Sequence, residues 1–167
     1  MTVLSLLFLL ATAGVLQAVI PPVAVLGRAP LPVLAALVVY YALTRETGFM
    51  LAAAVLAGVV HDALGLVPLG YSSCCFGLGA LLVHRFRRDV FAWEWLTRLV
   101  MGGAVAGGTV LGMSLLLRAT RQIELPATTV AVKTLGSVLL GAALVPLVCA
   151  LAEGLDRRLD LLEGGRP

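Results

Sequence analysis

Charge is scarce in this sequence. Acidic and basic residues fill 13% of its 167 positions, about half the roughly 25% of an ordinary soluble domain. With 60% hydrophobic residues and a mean hydropathy of +1.05, too little polar sequence is left to clothe a soluble domain. The class is an integral membrane protein. No basic stripe is interleaved with aromatics, which argues against nucleic acid as a partner. The three cysteines, Cys74, Cys75 and Cys149, all fall in apolar segments and lack metal-ligand spacing, so they read as small packing residues. Histidine is confined to His61 and His84. His61 and Asp62 are consecutive, and consecutive helical side chains point about 100° apart, so they cannot share one ion.

Reactive constellations are missing too. None of Ser72, Ser73, Ser114 and Ser137 has a Gly-x-Ser-x-Gly context, and no histidine is expected at a matching depth to act as base. No pair of intramembrane acids suggests an aspartyl protease, and no acidic or histidine relay suggests a proton pump. The glycine-rich run beyond Gly102 is not followed by the Lys-Ser/Thr of a phosphate loop. The sequence therefore predicts a non-enzymatic chain without metal or cofactor.

What is present is a series of apolar segments. Six spans are expected, at about 3–20, 31–43, 48–66, 69–83, 96–117 and 128–151. They form one all-α domain over 1–153, a compact bundle of six short transmembrane helices, followed by a short tail at 154–167. Ala11-Thr12-Ala13 resembles a leader-cleavage site. No basic segment precedes it and the apolar run continues beyond, so a retained first helix is the reading. Pro21-Pro22 ends that helix. The second span is short, about 20 Å long, and must be buried among other helices or thin the bilayer. Tyr40 and Tyr41 near its end read as interfacial anchors.

Arginine placement sets the orientation. With six spans and a cytoplasmic N-terminus, inner segments hold Arg45, Arg85, Arg87, Arg88, Arg98, Arg157, Arg158 and Arg166, and outer ones Arg28, Arg118 and Arg121. Both termini are then cytoplasmic. The segment 85–95 joins Arg85, Arg87 and Arg88 to Trp93 and Trp95, a patch suited to lipid headgroups.

The middle of the chain carries the most specific feature. Asp62 lies one turn before the uncharged turn Gly65-Leu66-Val67-Pro68-Leu69-Gly70. An acid inside an apolar span is costly and usually has a role in function or assembly. Lys133 is expected at a similar depth, about 8 Å below the outer boundary. Three readings follow. Lys133 can snorkel while Asp62 caps the turn, the two can form an internal charge pair, or they can contact a ligand or partner. The fifth span contributes Gly103-xxx-Gly107 and Gly108-xxx-Gly112, small-residue pairs that let helices approach closely in lipid. The sixth repeats this with Gly136, Ser137 and Gly141. These rows can face helices of this chain or of another.

The nine residues Asp62-Ala63-Leu64-Gly65-Leu66-Val67-Pro68-Leu69-Gly70 resemble the hairpin shared by the MreD family of bacterial rod-shape-determining membrane proteins. Overall size, a short second span and a basic patch after the fourth agree with that resemblance. It implies a non-catalytic scaffold of the cell-wall elongation machinery in the bacterial cytoplasmic membrane. The implied partners are an MreC-like single-span protein and, beyond it, an MreB-like actin homologue and a SEDS glycosyltransferase with its transpeptidase. The residues carried over are Asp62, Gly65, Pro68, Leu69 and Gly70, as the hairpin shaping the outer face. Tyr71 and the Cys74-Cys75 pair depart from the family pattern. MreD is in turn similar in architecture to the substrate-binding S-components of energy-coupling-factor vitamin transporters, which supplies the alternative. Against it stand outer loops poor in polar groups and a first span with Gly14-xxx-Ala18 in place of Ala-xxx-Ala.

Overall fold

A computed structural model describes residues 3–20, 31–65, 68–86, 94–120 and 126–163. The described residues form six α-helices: α1 (Val3–Val19), α2 (Val33–Thr44), α3 (Thr47–Gly65), α4 (Tyr71–Phe86), α5 (Glu94–Ala119) and α6 (Ala127–Glu163). There is no strand among them. The six apolar segments of the sequence thus become six helices of one compact bundle.

The last helix departs from expectation. α6 runs unbroken through position 153, where the sequence reading begins a tail, and ends ten residues later at Glu163. Beyond Gly154 the residues are Leu, Asp, Arg and Glu. None of them stops a helix as proline would. Pro146 is accommodated inside α6, where it forgoes the N–H that would bond the carbonyl of Ala142.

The bundle is built around its shortest apolar helix. α2 has 12 residues and rises about 18 Å. Ten of them, Val33 to Ala42, are buried, and α2 packs against each of the other five helices. A helix that is apolar all round belongs in an interior, and a helix this short is here enclosed by protein. Tyr40 and Tyr41 follow it inward. They are 3% and 0% exposed, so they are core residues and not interfacial anchors. Their rings meet edge to face at 5.3 Å, and Tyr41 meets Phe49 in the same way at 5.6 Å.

Around α2, α3 pairs with α4 and α5 pairs with α6, while α1 packs on α2 and α3. Many small side chains lie inside beside the large core residues, and many large apolar ones face outward. Ala36, Ala53, Ala54, Ala57, Ala80 and Ala106 fill the interior, whereas Phe8, Leu78, Leu115, Leu135, Leu147 and Leu151 stand more than half exposed. In water such an exterior would be one continuous apolar patch. In lipid, small residues at helix contacts and large ones outside are the expected sorting. Three helical stretches, Thr47–Gly65, Trp95–Ala119 and Ala127–Gly154, are long and apolar enough to cross a membrane, and α1 and α2 are shorter apolar helices. Together these features mark a membrane protein.

Candidate functional site

The α3–α4 hairpin is held by Asp62. Its side chain is fully buried. One carboxylate oxygen accepts the backbone N–H of Gly70 at 2.7 Å, and the other accepts that of Ser72 at 3.1 Å. The first N–H groups of a helix have no partner within it. Asp62 therefore supplies from α3 the cap that α4 cannot supply for itself, since Gly70, just before the helix, has no side chain. Gly70 has φ +106°, a conformation that glycine adopts without the strain a Cβ would bring. A negative charge at that end also opposes the helix dipole favourably.

Behind the cap, α3 and α4 nearly touch. A Cβ placed on Gly58 would land on the backbone of Ser73. The Ser73 hydroxyl donates to the carbonyl of Val55 at 3.1 Å. His61 Nδ1 lies 2.9 Å from Ser72 Oγ, which is also 3.3 Å from Met113 Sδ on α5. The His61 ring packs edge-on against Phe76 at 5.6 Å. The hairpin thus places a histidine beside a serine, contrary to the expectation that no histidine shares a serine's depth. Eleven residues separate them, and only the turn brings them together. Ser72 is 2% exposed, and the adjacent carboxylate is committed to backbone N–H groups. The hydroxyl is a buried tie among α3, α4 and α5.

Lys133 takes no part in this arrangement. It is half-buried on α6, and α6 packs against α5 and α2, with no contact to α3 or α4 among the described residues. No ion pair joins Lys133 to Asp62 there. Of the three readings, the structure carries the cap on Asp62 and no Asp62–Lys133 pair, since α3 and α6 each pack on α2 and not on each other. An ion pair does form between Arg98 and Glu153, 2.7 Å apart, joining α5 to α6.

The rest of the hairpin is outward. Gly65, Pro68 and Leu69 are exposed, Leu69 by 70%. Leu66 and Val67 lie outside the described residues, as do Arg87 and Arg88 of the basic patch. Arg85 is exposed in the last turn of α4. One residue earlier, His84 joins three helices. Its Nδ1 is 3.2 Å from the carbonyl of Ala42 and its Nε2 is 3.2 Å from Thr47 Oγ1. Since a carbonyl only accepts, Nδ1 donates to Ala42.

The glycines of α5 separate into three groups. Gly102, Gly103 and Gly107 face α6, where an added Cβ would meet Val145, the Val138 carbonyl and the Val138 side chain. Gly112 faces α4, with Cys75 Sγ 2.8 Å from where its Cβ would stand. Gly108 has no atom within 4 Å of that position and is exposed, as is Ala104 one turn before it. Sequence spacing groups Gly108 with Gly112, but the two project toward different surroundings.

A small cavity of about 30 Å³ lies beneath the hairpin end, walled by at least one residue from every helix, including Gln17, Ala35, His61, Phe76, Thr109 and Ser137. Gln17 accepts the N–H of Leu34 near the start of α2 at 3.3 Å. Gly58, Gln17 and Ser137's part in the cavity are the functional features that sequence spacing does not single out. A long polar side chain in a mostly apolar first helix is the one available signal, at Gln17. Among the described residues, no three His, Cys, Asp or Glu side chains gather as a metal site would need. In comparison with known proteins, the chain matches no family model, no curated protein and no solved structure.

Proposed function

We propose that this chain is a non-catalytic scaffold subunit of a bacterial cell-wall elongation complex, of the kind its resemblance to MreD implies. It lies in the cytoplasmic membrane as a multi-pass protein with both termini inside. Its partner is an MreC-like single-span protein, whose helix docks on α5 and whose outer domain stands over the α3–α4 turn. An MreB-like actin homologue and a SEDS glycosyltransferase with its transpeptidase complete the assembly. The observation that carries the reading is the open Ala104–Gly108 face of α5. It is small enough for close helix approach and it points away from this bundle, within the exposed stripe of α5 that includes Val100, Leu111 and Leu115. The capped hairpin gives the outer side a fixed shape, with Leu69 presented to a partner.

The S-component alternative calls for a vitamin-sized pocket and a small-residue docking row on the first helix. The cavity among the described residues, about 30 Å³, is far below the roughly 300–1,000 Å³ of small-molecule pockets. Gly14, which would belong to the docking row, is buried with Val60 of α3 close above it. Both observations favour the scaffold.

The test is affinity purification of the tagged protein from its native membranes in mild detergent, with parent and Gly108→Leu compared. Recovery of an MreC-like bitopic protein with the parent, and its loss with a normally abundant Gly108→Leu, is the expected result. Recovery of ABC-type ATPases with a coupling subunit would replace the scaffold by the transporter. Equal recovery of the bitopic partner with both forms would remove α5 as the docking face.

A further inference from the structure

Ser137 is anomalous. It is 2% exposed and its Oγ has no hydrogen-bond partner. Buried hydroxyls are nearly always partnered. Inside a helix the usual partner is a carbonyl three or four residues back, and other hydroxyls of this bundle use it. Thr109 bonds Ala106 at 2.8 Å, Ser114 bonds Val110 at 2.7 Å and Thr134 bonds Val130 at 2.8 Å. Ser137 makes no such bond and lines the cavity instead.

Two more unused polar atoms belong to residues of the same wall. The Gln17 carbonyl oxygen is occupied by Leu34, but its amide nitrogen has no partner among the described residues. His61 uses Nδ1 toward Ser72, and its Nε2 has no partner among the described residues. The wall carries no acid, lysine or arginine, so it suits a neutral hydrogen-bonding molecule and not an ion. A volume of about 30 Å³ exceeds the roughly 10–15 Å³ that one water needs, and a water needs two to four polar partners.

We propose that this cavity is a hydration site. Ordered water, one or two molecules, accepts or donates at Ser137 Oγ and bridges it to His61 and Gln17. The consequence is structural coupling. α6 has no direct contact with α1, α3 or α4 among the described residues, so the water joins α6 to the hairpin and, through Gln17, to α1. This assignment goes beyond the scaffold reading and does not depend on it.

X-ray hydroxyl-radical footprinting of the full chain in detergent, with isotopically labelled water, tests it. Radicals formed from bound water oxidise the side chains touching it. Phe76, 2% exposed and in the cavity wall, should be modified in the parent. Met50, fully buried and outside that wall, is intrinsically more reactive and should stay at background. Ser137→Val should bring Phe76 down to the Met50 background, as should Gln17→Leu if the serine variant fails to accumulate. Phe76 at background in the parent would show a dry cavity and overturn the proposal. Unchanged Phe76 labelling in a folded Ser137→Val, with Met50 still silent, would overturn the role of Ser137.

Discussion

Removing the Asp62 carboxylate should be the most damaging single change in the hairpin. The perturbation is a pair, Asp62→Ala and Asp62→Asn. The carboxylate accepts two backbone N–H groups, at 2.7 and 3.1 Å, in a site with no exposure to solvent. A hydrogen bond to a charged group contributes about 1.5–3 kcal/mol. Losing both predicts about 3–6 kcal/mol for alanine, which also leaves two N–H groups unpaired at the start of α4. Asparagine has the same shape but only one accepting oxygen. It can satisfy one N–H, and its amide hydrogens then face the other, so about half the loss is expected. In a chain of this size about 1 kcal/mol moves Tm by about 2–4 °C. Alanine should therefore lower Tm by about 6–24 °C, and asparagine by about half as much. The assay is thermal unfolding in mild detergent with a thiol-reactive dye, in a Cys74→Ala, Cys75→Ala background. Cys149, 1% exposed, then reports unfolding alone. An alanine variant that melts with its parent would refute the capping argument. An asparagine variant that does so would show that the second N–H and the charge add nothing.

The close approach at Gly58 gives an independent test of the α3–α4 packing. Gly58→Ala forces a methyl group onto the Ser73 backbone; overpacking costs about 1–3 kcal/mol, and the melting curve should fall accordingly. On α5, Gly107→Leu should reduce the amount of folded protein in the membrane because its Cβ meets Val138, whereas Gly108→Leu, facing open space, should accumulate normally. Fluorescence-detected size-exclusion chromatography reads both. The Arg98–Glu153 pair, 24% and 33% exposed by side chain, should contribute about 1 kcal/mol or less. Reversing either charge should lower Tm slightly, and the double reversal should recover it.

Several features were legible from local pattern. Apolar runs broken by Pro21-Pro22, by Arg45-Glu46 and by the 65–70 turn place the helices, because length and hydropathy act residue by residue. Scarcity of charge fixes the class, since a membrane exterior needs no polar cover. The shortness of the second span already limits it to burial or a thinned bilayer. The position of Asp62, one turn before a glycine-rich loop, marks it as a cap among other readings, because a cap is a local device.

The tertiary structure decided what depends on which helices are neighbours. Equal depth suggests that Asp62 and Lys133 meet, yet depth along a helix says nothing about rotation or partner, and α2 stands between α3 and α6. His61 and Ser72 come together because the turn folds two helices face to face. Spacing alone puts Gly103, Gly107, Gly108 and Gly112 in related pairs. The α5–α6 crossing assigns Gly103 and Gly107 to α6, α4 takes Gly112, and Gly108 is left facing outward. The sequence by itself determined six helices and their apolar character, since both are set by nearest neighbours along the chain. Only packing decided that the shortest helix is the centre, that Tyr40 and Tyr41 are core, and that Ser137 is left with an unpaired hydroxyl at a cavity, since each of these requires contacts between residues far apart in sequence.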